Sequence, residues 1–210
     1  RAIASGWISA EDSEKIVDRI NISFSKSYLT KDDIAVLDVI ASNIYDRPIY
    51  FAVTCKNDKL LGLNDYMQME GLGLRIIPVK TPSNPSLQIF GSGRADAEAI
   101  YENVMTKWRW GNFDKVDTYI SPSYSAGINA MKMAMYRGAD EFLRKEDTKK
   151  ALDLANKYFE AFPDFNFPYD YSVLPFIDVL LEGKDLEGAK KHMKILADAC
   201  VEDMEFYYSL

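Results

Sequence analysis

Histidine occurs once in the 210 residues, at His192, and cysteine twice, at Cys55 and Cys200. So few imidazoles and thiols exclude a structural zinc site and a disulfide framework, both of which draw on several such side chains. The two cysteines are expected to be free thiols that pack as small apolar groups, since a bond would need their Cα atoms close together. Cations are outnumbered: 25 Lys and Arg face 32 Asp and Glu, for a formal net charge of -7. A nucleic-acid surface needs clustered cations to displace counterions, so nucleic acid is excluded as a partner. No apolar run is long enough to cross a bilayer. The opening Arg1-Ala-Ile-Ala-Ser-Gly-Trp7 has no long apolar stretch and does not read as a signal peptide. Its lack of a starting Met predicts a fragment of a longer chain. Asn21-Ile22-Ser23 matches the glycosylation sequon, a pattern too short to carry weight alone.

Apolar material, by contrast, is plentiful. Hydrophobic residues make up 48% of the chain and aromatics 13%, enough for a sizeable core and too much for a disordered segment. The character of the chain changes near residue 120. Up to Ile120 there are 14 basic and 16 acidic residues; beyond it there are 11 and 16, so the second part carries most of the net negative charge. The expected organisation is a small α/β domain over 1–120 and tetratricopeptide-like helical hairpins over 121–210.

In the first part, 19–24 alternates as a strand does. Thr30 offers a helix N-cap with Asp32 and Asp33 in the first turn. Ile34, Leu37, Ile40, Ala41 and Ile44 come next at helical spacing, and Asn43 is a reasonable stop. Pro48 opens a second strand at 49–53, where its missing N–H is tolerated. A short helix over 64–69, Gly71 and a third strand over 72–79 complete a β-α-β-α-β order. Such alternation predicts a small, three-stranded, mostly parallel sheet with helices packed on it. The loop 80–93 holds Pro82, Pro85, Gly91 and Gly93, with a possible short strand at 87–90. Ala97, Ile100, Tyr101, Val104, Met105 and Trp108 then form a helical stripe ending at Trp110-Gly111-Asn112.

The second part reads as four helices in two hairpins. The first covers about 125–144, and the second starts after an Asp147 cap and stops at Pro163. The third covers about 170–182 with Gly183 as its C-cap. The fourth starts at Asp185 with Ala189, Met193, Leu196, Ala197, Cys200, Met204 and Tyr207 inward. Ala151 and Pro163 have the spacing of the small residue and proline in a tetratricopeptide second helix, and Ala189 repeats the small residue. Two degenerate repeats cannot bury their faces alone, so they are expected to pack on the α/β part. The fold class is thus α/β followed by all-α.

Few motifs carry chemistry. Gly91-Ser-Gly93-Arg94 could present N–H groups to an anion, but it lacks the P-loop lysine and reads better as a plain helix start. Asp65-Tyr-Met-Gln-Met-Glu70 mixes carboxylates, an aromatic and an amide near a strand end, where ligands of open α/β sheets gather. The plainer reading is an amphipathic helix with Tyr66 and Met69 inward. Trp108 belongs to the apolar stripe, which leaves Trp110 as the freer candidate for a sugar-stacking platform or an interface anchor. His192, beside Lys190, Lys191 and Lys194, is expected to face solvent without a catalytic role. The candidate binding residues are Asp65, Tyr66, Gln68, Glu70, Arg75 and Trp110. No catalytic residue, metal ligand or cofactor is assigned.

Several stretches together carry a family resemblance: Tyr28-Leu-Thr-Lys-Asp-Asp33, 34–41, Arg47-Pro-Ile-Tyr-Phe-Ala52, Asp65-Tyr-Met-Gln-Met-Glu-Gly-Leu72, 101–112, Pro168-Tyr-Asp-Tyr171 and Tyr207-Tyr-Ser-Leu210. In this order and spacing, from about Ile16 onward, the chain resembles the C-terminal soluble region of bacterial multi-pass membrane proteins. These form a domain-of-unknown-function family similar to protein O-mannosyltransferases. The resemblance implies a polyprenyl-phosphate sugar donor and a catalytic acid in the membrane part, so no catalytic residue carries over to this chain. It implies a non-catalytic accessory domain on the periplasmic side of the inner membrane. The expected partners are the membrane-embedded remainder of its own chain and an acceptor protein or glycan. Two rivals are a protein–protein scaffold with no link to glycosyl transfer, and a small independent enzyme in which Asp65, Glu70 and Arg75 converge.

Overall fold

The computed structural model describes residues 3, 8–24, 26–44 and 46–209. Most of the opening stretch read for a leader, and Leu210 of the last resemblance stretch, lie outside them. Contacts divide the chain into two compact units between Asp96 and Ala97, ahead of the change in character at residue 120.

In the first unit, α1 (Lys31–Asn43) begins after Thr30 as its sequence predicts. The Thr30 N–H donates to Asp33 at 3.1 Å, and the Lys26 ammonium reaches both oxygens of the same buried carboxylate. These bonds, the Thr30 backbone N–H foremost, hold the Asp33 carboxyl far below the usual range. At the other end the Asn43 amide donates to the Val39 carbonyl, which satisfies one of the carbonyls a helix end leaves open.

Four strands form one sheet: β1 (Tyr50–Ala52), β2 (Met67–Met69), β3 (Gly73–Ile76) and β4 (Arg94–Ala95), in the order β1-β3-β2-β4. The β1/β3 and β2/β3 pairs are antiparallel; β2/β4 is parallel. The expectation of three mostly parallel strands is therefore corrected. The cause is the link Glu70-Gly71-Leu72, far too short for the crossover that parallel neighbours need. It closes as a hairpin, with the Glu70 N–H on the Gly73 carbonyl at 2.9 Å. Residues 64–69 are one 3-10 turn (Asn64–Tyr66) followed by β2, not a helix. Met67 and Met69 alternate about Gln68, a period of two hidden in a segment too short to show it.

Residues 19–24 form no strand either. Their alternation is real, since Ile20 and Ile22 are half-buried while Asn21 and Ser23 are exposed. Among the described residues no strand pairs with them, and the Asn21 N–H goes to the Tyr66 hydroxyl at 3.4 Å. Residues 87–90 lie inside a 3-10 stretch, Pro85–Gly91, and not in a strand.

In the second unit, α2 (Ala97–Glu102) runs into a π turn (Asn103–Lys107), and the chain is extended at Trp108. This helix stops short of the predicted 110–112. The Arg109 guanidinium caps the end by donating to the Thr106, Lys107 and Trp108 carbonyls at 3.1–3.2 Å. Four helices come after it: α3 (Ser125–Arg144), α4 (Thr148–Ala161), α5 (Leu174–Glu182) and α6 (Leu186–Tyr208). Asp147 and Asp185 cap α4 and α6, accepting from the N–H groups of Lys150 and Gly188. α3 packs on α4, α4 on α5 and α5 on α6. Ala151 and Ala189, early in α4 and α6, are fully buried. Gly183 is not left-handed; Lys184 takes that conformation at φ 65°. Glycine serves close approach instead, because a Cβ there would fall 2.5 Å from Leu152 Cδ2.

The inward face of α6 differs from the expected one. Ala189 is buried, but Met193, Ala197, Cys200, Met204 and Tyr207 are exposed. The covered stripe is Ala189, His192, Ile195, Leu196 and Ala199. His192, expected to face solvent, is only 8% exposed. Its ring lies flat on Phe159 with centroids 3.5 Å apart, and its Nδ1 is 2.9 Å from the Tyr169 hydroxyl. An imidazole that stacks and hydrogen-bonds at once fills a slot that the flexible Met193 does not. Cys55 and Cys200 are both free.

Candidate functional site

A strand sends alternate side chains to opposite faces, so register decides which residues share a row. Tyr50 lies opposite Arg75, Arg75 opposite Gln68, and Gln68 opposite Arg94, so one polar row crosses all four strands. The neighbouring row, Phe51, Leu74, Met69 and Ala95, faces the other way; Leu74, Met69 and Ala95 are buried. Glu70 and Asp96, two residues beyond Gln68 and Arg94, join the polar face. Gly93 permits the arrangement. Its φ is +53°, and a Cβ there would sit 2.0 Å from the Met67 carbonyl oxygen, so only glycine lets β4 come alongside β2.

The row is bonded end to end. The Tyr50 hydroxyl donates to Glu70 Oε2 at 2.5 Å, and Arg75 Nη1 meets Glu70 Oε1 at 3.3 Å. The Gln68 amide donates to Glu70 Oε1 at 2.8 Å and to Asp96 Oδ2 at 3.3 Å. Its carbonyl accepts from Arg94 Nε at 2.7 Å, and Arg94 Nη1 reaches Asp12 Oδ2 at 2.7 Å. Lys15 closes the chain on Asp12. Three carboxylates thus meet three cations.

Burial grades along the row. Gln68 at its centre is 5% exposed and Tyr50 at the β1 edge is 46% exposed. Partial burial, and then the bond to Glu70, push the Tyr50 phenol up to about 12, so it stays a donor at neutral pH. Burial works to raise the Asp12 carboxyl, but the bonds and charges of Lys15 and Arg94 outweigh it and leave it below the ordinary value. Arg75 Nε is buried without a hydrogen-bond partner, and its guanidinium carbon lies 5.9 Å from the Tyr50 ring centroid. At the β1 end a phenol, a carboxylate and a guanidinium thus lie side by side, bonded through Glu70, with Tyr50 the exposed member.

Of the six candidate binding residues, the fold brings Gln68, Glu70 and Arg75 together. Asp65 stands apart: it accepts from the Ser83 N–H at 3.0 Å and the Ser83 hydroxyl at 2.8 Å, and so anchors the loop that holds Ser83. The convergence of Asp65, Glu70 and Arg75 that the enzyme rival required does not occur. Tyr66 is a core residue, with its hydroxyl on Asn21. Trp110 belongs to the second unit, edge-on to Trp108 and Phe162. Arg94, considered as part of an anion loop, is engaged by Gln68 and Asp12. Sequence reasoning missed Tyr50, Arg94, Asp96 and Asp12 as members of the row. The alternation about Phe51 could have flagged Tyr50; nothing local points to Asp12, 82 positions before Arg94.

Elsewhere in this unit, α1 and the segment 16–22 border an apolar cleft of about 720 Å³ lined by Ile16, Ile20, Ile22, Leu37, Ile40 and Ile44, among others. Among the described residues, no group of three or more His, Cys, Asp or Glu is placed to hold a metal ion, and no helix is long and apolar enough to cross a membrane.

Residues 1–99 match the model of a family described as TMEM260-associated domain 2. The match ends just past Asp96, where the first unit ends. The first unit is thus similar to a domain found in association with TMEM260, and the polar row lies wholly within the matched region. No curated protein and no solved structure matches the chain.

Proposed function

We propose that the chain is a non-catalytic accessory region of a multi-pass membrane glycosyltransferase similar to protein O-mannosyltransferases, and that it engages the acceptor. The observation that carries this reading is the match of residues 1–99 to TMEM260-associated domain 2, with limits that coincide with one structural unit. The resemblance of the chain to the C-terminal region of such enzymes supports it further. In this reading the region lies on the periplasmic side of the inner membrane, and its partners are the membrane-embedded remainder of its own chain and an acceptor protein or glycan. Contact falls to Tyr50, Glu70 and Arg75 at the open end of the row, because a serine- or threonine-bearing polypeptide offers hydroxyl and amide groups to match them. The second unit is read as two tetratricopeptide-like hairpins, supported by the buried Ala151 and Ala189.

The test uses the full-length parent with Tyr50→Phe and Arg75→Gln combined. Losing two hydrogen-bonding groups that act in acceptor binding raises acceptor KM about tenfold with kcat unchanged. An unchanged KM, with thermal unfolding showing the variant folded, overturns the reading. A scaffold role is favoured by one feature, the exposed Val201, Met204, Phe206, Tyr207 and Tyr208 on the last turns of α6. Site-specific cross-linking from Tyr207 to a protein that is not an acceptor would support that alternative.

A further inference from the structure

The loop after Trp108 builds a second polar cleft, within the second unit and independent of the sheet. Gly111 (φ 66°) and Asn112 (φ 61°) are both left-handed and turn the chain sharply. The Asn112 carbonyl then accepts from the Lys115 and Val116 N–H groups at 3.0 and 3.2 Å. Asn166, itself buried, clamps residues 113–118. Its amide donates to the Phe113 and Val116 carbonyls at 2.7 and 2.8 Å, and its carbonyl accepts from the Thr118 N–H at 2.9 Å. A loop held by five such bonds is a preformed surface, which lowers the entropy cost of binding.

The cleft it borders holds about 400 Å³. Trp110 forms one wall, fixed edge-on by Trp108 and Phe162. Lys157, paired with Glu160 at 3.0 Å, stands 5.8 Å from the Trp110 ring centroid. Four side chains at the cleft keep their hydrogen-bonding groups unused by other described residues: the Trp110 indole N–H, the Asn112 amide, the Asp114 carboxylate and the Lys115 ammonium. The contrast with the sheet row, where the polar groups are largely spent on one another, is direct. With the indole donor and the amide, Arg109, Lys115 and Lys157 face Asp114 and Glu160, so opposite charges nearly balance and the cleft is rich in both donors and acceptors. That is the complement of a polyhydroxylated, uncharged ring.

We infer that the Trp110–Asn112–Asp114–Lys115 cleft binds a neutral saccharide. The sugar's hydroxyls bond to Asn112, Asp114 and Lys115, and one packs beside the indole. This site does not rest on the reading given to the sheet, and its resonances lie in the other unit, so the two can fail separately. The chemistry is shared by a free sugar and by a sugar O-linked to a peptide.

The test is a ¹H–¹⁵N titration of the intact chain with mannose, glucose and galactose, with a mannosylated threonine peptide, and with acetate and phosphate as charged controls. The expected result is a saturable shift of the Trp110 indole N–H with one of the sugars or with the glycopeptide; the tighter arm identifies the source. Asp114→Asn and Asn112→Ala weaken it about three- to tenfold, the loss of one hydrogen bond each, and leave the other amide resonances in place. Response to acetate or phosphate alone overturns the inference, as does no Trp110 shift with any sugar form, or a shift that both variants leave unchanged.

Discussion

The sheet of the first unit and the helices of the second bury large side chains against different partners. On the sheet's polar face, Gln68, Glu70, Arg75 and Arg94 are covered only because each meets an opposite charge or an amide. Within the hairpins the covered groups are rings: Tyr158 stacks on Phe176 with centroids 3.6 Å apart and planes 3° from parallel, and Phe159 stacks on His192. Charge pairing is directional and ties a row to one register, whereas ring packing gains mainly from area and tolerates adjustment. The contrast explains why the row, and not the helical core, is the better place to hold polar groups in fixed relation.

That contrast can be broken at its strongest point first. Phe176→Ala removes the ring that faces both Tyr158 and Phe159, and is expected to cost about 3–5 kcal/mol. Urea denaturation measures it; a loss below about 1 kcal/mol would mean the stack is incidental. In the sheet, Arg94→Met takes the donor from the Gln68 carbonyl and leaves the Asp12 carboxylate with the exposed Lys15 as its remaining cation. Arg94 is partly solvated, so the expected loss is about 2–3 kcal/mol, less than for a fully buried pair. A cycle with Asp12→Asn should show coupling of about 1 kcal/mol, and purely additive losses would show that the row does not act as a network.

The units also differ in their response to acid. Burial, aided by the Lys191 charge, depresses the His192 imidazole from 6.5 to about 4. The unfolded chain then binds a proton that the folded one refuses between these values, so stability falls as pH drops from about 6.5 to 4. The loss is on the order of 3 kcal/mol. Asp12 and Asp33 are held below their ordinary 3.8, so their contribution is present above that value and is lost only at lower pH. Hydrogen exchange followed from about pH 7 to about pH 3 should show α5 and α6 loosening before the sheet. His192→Phe should remove the upper step, and its persistence would place the cause elsewhere. The smallest effect is expected at Lys132, whose ammonium lies 5.3–5.6 Å from the rings of Tyr158, Phe162 and Phe167. Burial lowers its pKa, so cation–π attraction and desolvation oppose each other, and Lys132→Met should change stability by no more than about 1 kcal/mol.

The helical half was legible because its signals are local. Asp147 and Asp185 each cap a helix three residues before the N–H they accept, and Ala151 and Ala189 sit where a close crossing needs a small side chain. The sheet was legible only in part. Strands of two to four residues carry too few alternations to separate from a turn of helix, as Met67-Gln-Met69 shows. Strand direction hung on a three-residue link, not on periodicity. His192 was misplaced because Lys190, Lys191 and Lys194 surround it in sequence, while Phe159 and Tyr169, which decide its position, lie far away in the chain. The polar row was visible as Gln68, Glu70 and Arg75, but Tyr50, Arg94 and Asp12 join it through register and through an 82-position separation that no local pattern encodes.

The proposal to be tested is that the open end of the row, in the unit similar to TMEM260-associated domain 2, receives the acceptor. The most direct measurement is a ¹H–¹⁵N titration of the whole chain with a serine- and threonine-rich peptide. The account predicts saturable shifts at the amides of Tyr50, Phe51, Leu74 and Arg75, and their loss in the Tyr50→Phe, Arg75→Gln variant. Saturable shifts that spare β1 and β3, or that survive in the variant, would contradict it.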